Sequence, residues 1–235
     1  MKKKPVSQTR VSSKMPIDEL LVDLFERYQD SFDKHQWPQE SKRWYELVYC
    51  VFSAVEGRFG PETRAALAVR VLIELDLLEI SVLAKSEETT NLHLGIVLGR
   101  IGFSEEQADQ LVRALCDLAK CLDKTYQGKV QLLLRAFGME LVNNVLQALP
   151  LEDSMGKQNA SLVVMHWLQN VLNLPVLVPS PGLQTLLAET GAEAEEVLAA
   201  VDELDINVAL LDEILNRWVG AYPPTDRAGD QQEVI

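Results

Sequence analysis

With 235 residues the chain suits one domain of ordinary size, or two small ones sharing an interface. Apolar residues make up 47% and charged residues 24%, which supports a sizeable core and excludes wholesale disorder. The net charge of −13 keeps such a chain soluble and repels polyanions, so nucleic acid is disfavoured as a partner.

In chain order, residues 1–14 carry Lys2, Lys3, Lys4, Arg10 and Lys14 with no acid, and read as a flexible basic arm. The arm holds +5 of a total of −13, so the remaining residues carry −18. Ile17, Leu20, Leu21, Leu24, Phe25 and Tyr28 then recur at helical spacing, with Pro16 and two acids at the start. Trp44–Ala54 is apolar on nearly every position, as in a helix buried on most sides. Further helices are predicted over 62–77, 81–85 and 90–100. Gly102 breaks the chain there, and Ser104 with Gln107 forms a capping box for the next helix. That helix carries Ala108, Leu111, Val112, Leu115, Leu118, Ala119 and Leu122 on one stripe.

Shorter helices are predicted over 129–137 and 139–148, a long one over 158–172, and three more over 182–189, 192–201 and 207–218. Val176-Leu177-Val178 is the one strand-like triplet, boxed between Pro175 and Pro179. Residues 223–235 read as a loose polar tail. The expectation is an all-α protein of about ten to twelve short helices, two-lobed over 15–222, with no fixed-period repeat. Apolar runs fall far short of the ~20 residues of a membrane span, and no leader pattern opens the chain, so a cytoplasmic location is expected.

Candidate chemistry is sparse. Cys50, Cys116 and Cys121 sit in apolar helical patterns without paired spacing, which points to buried small hydrophobes rather than disulfides or a zinc site. His93 and His166 have no neighbouring ligand at metal spacing. His166-Trp167 reads as a core or interface pair, and His35-Gln36-Trp37 receives no role. Trp44, Tyr45 and Tyr49 suit core packing over a pocket lining. The acids of 193–196 and 202–205 read as a solvated face. No phosphate-cradling glycine loop, metalloprotease helix or nucleophile elbow is present, and no metal or cofactor is expected.

Several strings, in order, carry a family resemblance. Trp44-Tyr45-Glu46-Leu47-Val48 runs on to Val51-Phe52-Ser53-Ala54. Ile101-Gly102-Phe103 precedes Gln107-Ala108. Leu146-Gln147-Ala148-Leu149-Pro150 is followed by Gly156-Lys157-Gln158-Asn159-Ala160, and Pro175–Pro181 leads to Gly191. Together they resemble the helix-hairpin-helix DNA glycosylase superfamily, the endonuclease III-like proteins, from about Ile17 to Trp218. The resemblance implies a two-lobed helical fold with a DNA-gripping hairpin near 146–160 and base-excision repair chemistry. It also makes Gly156, Lys157, Gln158 and Asn159 candidates for the DNA backbone.

The departures fall where the chemistry should be. The family's catalytic aspartate is matched by Pro179, and no Asp or Glu occurs from Ser154 to Ala188. Glycosidic cleavage builds oxocarbenium-like charge that proline cannot offset. The family's Schiff-base lysine is matched by Gln158, with Lys157 one residue earlier as the one candidate nucleophile. Leu151-Glu152-Asp153-Ser154-Met155 intervenes before Gly156 and sets two carboxylates where a phosphate would come. The family's base-displacing glutamine is matched by Val55, next to Glu56.

The resulting expectation is a non-catalytic, degenerate glycosylase-like protein that binds nucleic acid weakly or binds a protein partner. Two alternatives stand beside it. One is an active glycosylase or abasic-site lyase with a rearranged site; the other is an acidic helical interaction domain unrelated to DNA.

Overall fold

The computed structural model describes residues 16–28, 41–57, 63–135, 141–172, 174 and 177–219. The basic arm, the polar tail, His35-Gln36-Trp37, Pro61-Glu62, Pro175 and Val176 lie outside these. Among the described residues there are twelve helices and no strand. Of the strand-like triplet, Leu177 and Val178 are described, and neither is in a strand.

The helices are α1 (Ile17–Tyr28), α2 (Lys42–Glu56), α3 (Arg64–Glu74), α4 (Ile80–Leu83), α5 (Glu88–Ile101) and α6 (Glu105–Tyr126). They continue with α7 (Val130–Arg135), α8 (Leu141–Ala148), α9 (Leu151–Leu172), α10 (Pro181–Thr190), α11 (Ala194–Glu203) and α12 (Val208–Trp218). The starts of α3, α6 and α10 carry a side-chain cap that the sequence shows. Ser104 and Gln107 make both bonds of a capping box on α6. Thr63 accepts from the Ala66 N–H on α3, one residue past the predicted start at Glu62.

One boundary differs in kind. The helix expected to begin at Gln158 begins at Leu151, and Gly156 interrupts it with φ 79° and ψ 158°. Leu151–Met155 is a single helical turn instead of an open loop. Its reason is packing: Leu151 and Met155, four apart on one face, both enter the core.

Two apolar clusters organise the chain. The larger takes residues from α2 through α9, and α2 lies along α9 as its principal contact. Every residue of α2 from Trp44 to Ala54 is buried, so this helix is enclosed on all sides. Tyr45 and Tyr49 belong to this core. The smaller cluster joins the two ends of the described chain: Leu20, Leu21 and Leu24 of α1 meet Leu183 and Leu186 of α10, Val197 and Val201 of α11, and Leu211, Ile214 and Leu215 of α12.

The seam between the clusters is polar. Gln169 of α9 donates across it to the Val208 carbonyl of α12 at 3.2 Å, while its neighbour Asn170 turns to the α2 side and donates to the Glu46 carboxylate at 2.7 Å. Within the larger cluster, Trp167 of α9 gives its ring N–H to the Arg43 carbonyl at the start of α2 at 2.8 Å.

Candidate functional site

Gly156, Lys157, Gln158 and Asn159, the backbone candidates, lie at the junction of α8 and α9, while Val55 lies in the last turn of α2 and Pro179 precedes α10. The chain leaves α8 through Leu149 and Pro150, makes the Leu151–Met155 turn, breaks at Gly156 and continues into the long part of α9. A positive φ favours glycine, and Gly156 meets that need on the side facing solvent, since a side chain there would touch nothing within 4 Å. The Ser154 hydroxyl turns back onto the carbonyls of Leu151 and Pro150 at 3.2 and 3.4 Å. The Ser154 carbonyl accepts from Gln110 of α6 at 3.2 Å, which pins the turn to the body.

Charge decides what this surface can do. Glu152 and Asp153 are exposed in the first turn, where the helix dipole stabilises them. Lys157 and Gln158 are also exposed, on successive positions that differ by roughly 100° around the axis, and Asn159 is half-buried. The exposed carboxylates Glu106 and Asp109 lie on the first turns of α6, the helix whose Gln110 holds this segment. Within the junction segment itself the exposed Glu152 and Asp153 outnumber Lys157, which disfavours a phosphate at Gly156.

Pro179 has a purely local task. It is exposed, and it precedes Ser180, whose hydroxyl accepts from the Leu183 N–H at 3.2 Å and caps α10. Pro181 occupies the first helical position. These residues launch a helix, and no carboxylate of the segment stands with them.

Glu56, adjacent to the position of the family's base-displacing residue, is likewise committed. Its carboxylate, almost wholly buried, accepts from the Ala65 N–H at 2.9 Å and pairs with Arg64 at 3.4 Å, so it caps α3 in place of solvent. Arg64 also donates to the Gly102 carbonyl and lies over the Phe103 ring, 5.1 Å from its centre. Gln107 adds a bond to the Val55 carbonyl at 3.3 Å. Glu56→Ala is expected to cost about 1–2 kcal/mol, the usual effect of losing a helix cap, and a urea-unfolding midpoint reads it directly.

Comparison with family models, curated proteins and solved structures finds no match for this chain. The site therefore stands on its own geometry.

Residues outside the junction complete the picture. His166 and Asp212 come together across the seam, Nε2 to Oδ2 at 3.8 Å, with both side chains buried. At that distance the pair is beyond hydrogen-bond reach. Burial pushes the His166 pKa down to about 3, so the imidazole is neutral at neutral pH and acts as a core group. The signal for Asp212 is legible in the sequence but easily passed over: an acid in phase with Val208, Leu211 and Leu215 on the apolar stripe of α12. Glu46 carries the same signal within α2, where it sits buried and accepts from Asn170.

The three cysteines are free thiols whose pKa burial raises. Cys50 and Cys116 are buried and Cys121 is half-buried, its thiol donating to the Ala148 carbonyl at 3.3 Å. No group of three or more His, Cys, Asp or Glu side chains among the described residues is placed to hold a metal ion. A cleft of about 280 Å³ opens where the start of α2 meets α4 and the end of α6, bounded by Arg43, Trp44, Tyr45, Asp123 and Gln127. None of the junction residues lines it. Among the described residues, no helix is long and apolar enough to cross a membrane.

Proposed function

We propose that this chain is a non-catalytic, glycosylase-like helical protein that acts by binding rather than by cleaving a glycosidic bond. The observation that carries the reading is the absence of any carboxylate from Ser154 to Ala188, with Pro179 serving only to lead into a helix cap. Oxocarbenium-like charge at a sugar has no partner there.

Two features support the link to the helix-hairpin-helix proteins. α8, Leu149-Pro150, Gly156 and the long part of α9 follow one another in the order of a helix, a hairpin and a second helix. The apolar core is divided into two clusters, in keeping with a two-lobed chain. DNA binding, where it occurs, is weak and depends on the basic arm, because the junction itself presents Glu152 and Asp153.

Duplexes carrying uracil, oxidised bases or abasic sites are expected to pass through incubation with the purified protein uncut. Turnover that disappears on Lys157→Ala would defeat the proposal in favour of a rearranged lyase. A DNA titration across ionic strength provides the second reading. Weak binding that weakens further when Lys2, Lys3 and Lys4 become Gln fits the arm. Complete lack of binding at low salt favours an interaction domain unrelated to DNA, which the −18 outside the arm also supports.

A further inference from the structure

We infer that two copies of this chain associate through their α5 helices, packed antiparallel about a two-fold axis between Gly95 and Ile96. The starting observation is where the apolar surface is left uncovered. Among the described residues, five large apolar side chains are well exposed, and four of them belong to the neighbouring helices α3 and α5 or the C-cap of α3: Leu67 at 45%, Leu75 at 51%, Leu92 at 62% and Ile96 at 45%. Exposed apolar groups gathered in this way mark an interaction surface, whereas isolated ones need no explanation.

The occupant follows from the pattern on α5. Glu88, Leu92, Gly95, Ile96 and Gly99 fall within one stripe of the helix roughly 100° wide. Two of these positions are large knobs, and two are gaps, since a side chain added at Gly95 or Gly99 would meet nothing within 4 Å. A two-fold axis between Gly95 and Ile96 sets Leu92 opposite Gly99 of the second copy, and brings Ile96 against its own counterpart beside the axis. Leu92 then enters the Gly99 gap on each side, the two Ile96 side chains pack on one another, and the surface is complementary to itself, as an isologous interface requires.

Charge selects the same partner and the same direction. The chain carries −13, so most of its surface repels another copy. The helices α3 and α5, with the α5 cap Glu87, hold Arg64, Arg70 and Arg100 against Glu74, Glu87 and Glu88, a balance of zero, so this face lacks the excess acid of the chain as a whole. The antiparallel arrangement places the acidic start of α5, with Glu87 and Glu88, beside the end that carries Arg100, and it opposes the two helix dipoles. A parallel pairing would set Glu88 against itself.

The mass of the full-length protein in solution, measured by sedimentation from low micromolar to the highest soluble concentration, is expected to be that of a dimer. Leu92→Glu and Ile96→Glu are each expected to weaken association at least tenfold while leaving the circular dichroism and melting temperature of the subunit unchanged. Gly99→Leu, which closes the gap without burdening the monomer, is expected to do the same. Val22→Glu on α1 serves as the control that leaves the dimer intact. Direction is read by oxidative cross-linking with Cys121→Ser as background. Ile96→Cys lies beside its counterpart near the axis and cross-links, whereas Leu92→Cys is about 10 Å from its counterpart along the axis, beyond the ~7 Å that a disulfide spans. A monomer at every concentration, a dimer indifferent to both glutamates, or cross-linking through Leu92→Cys overturns the inference.

Discussion

Trp167→Ala is expected to destabilise the protein by about 3–5 kcal/mol, the largest effect of any single substitution considered for this chain. The indole is fully buried between α9 and α2, the two helices with the most extensive mutual packing. Truncation removes the ring and leaves a cavity, and it also leaves the Arg43 carbonyl without the N–H that meets it at 2.8 Å. Trp167→Phe separates the two contributions, because it keeps most of the volume and loses the hydrogen bond, at a cost of about 1 kcal/mol beyond the change in packing. Against a total stability of about 5–15 kcal/mol, the alanine variant should unfold at a far lower denaturant concentration with little change in slope. A shift worth under about 1.5 kcal/mol would mean that the indole is not a principal tie between the two helices.

The second large effect is a pH dependence centred on His166. Its native pKa, pushed down to about 3 by burial, lies below the ordinary histidine value near 6.5. As pH falls below about 6.5, the unfolded chain takes up a proton that the folded chain refuses, so stability is lost toward acid and is fully present above that value. The slope is about 1.4 kcal/mol per pH unit, so acidification from pH 6.5 to 5 removes roughly 2 kcal/mol, or about 4–8 °C of melting temperature for a chain of this size. His166→Gln keeps a polar group at the seam and cannot take up a proton in this range. Melting curves of the two proteins at several pH values between 5 and 7 should diverge accordingly. Parallel curves would assign the acid sensitivity to other groups.

These two residues mark the difference between what periodicity reveals and what it conceals. His166 and Trp167 stand in an apolar helical run, and their reading as a core or interface pair agrees with their burial. Asp212 is the residue that periodicity conceals, because a carboxylate suggests solvent unless its neighbours at helical spacing are counted. Its partner, His166, is brought to it only by the packing of α12 against α9.

The junction of α8 and α9 shows a similar division. Gly156, the acids Glu152 and Asp153, and the absence of a carboxylate up to Ala188 can all be read from the chain. That Leu151–Met155 coils into a helical turn could not, because five residues between a proline and a glycine satisfy a loop equally well. Burial of Leu151 and Met155 against the larger cluster decides it. Glu56 illustrates the same point at the other end of α2. The resemblance only sets it next to Val55, and it is the approach of α3 that shows its carboxylate bonded to the Ala65 N–H.

The sequence by itself determined that the chain is all-α, because apolar residues recur at 3–4 spacing and the caps are local signals that act within one turn. It also determined where the charge lies, since charge needs no fold to be counted. Tertiary structure alone decided that α1 shares a core with α10, α11 and α12, that buried polar groups line the seam between α9 and α12, and that the α5 stripe is left uncovered. Those outcomes depend on which apolar faces find one another across long separations in sequence, and each face offers the same pattern to every possible partner until packing chooses among them.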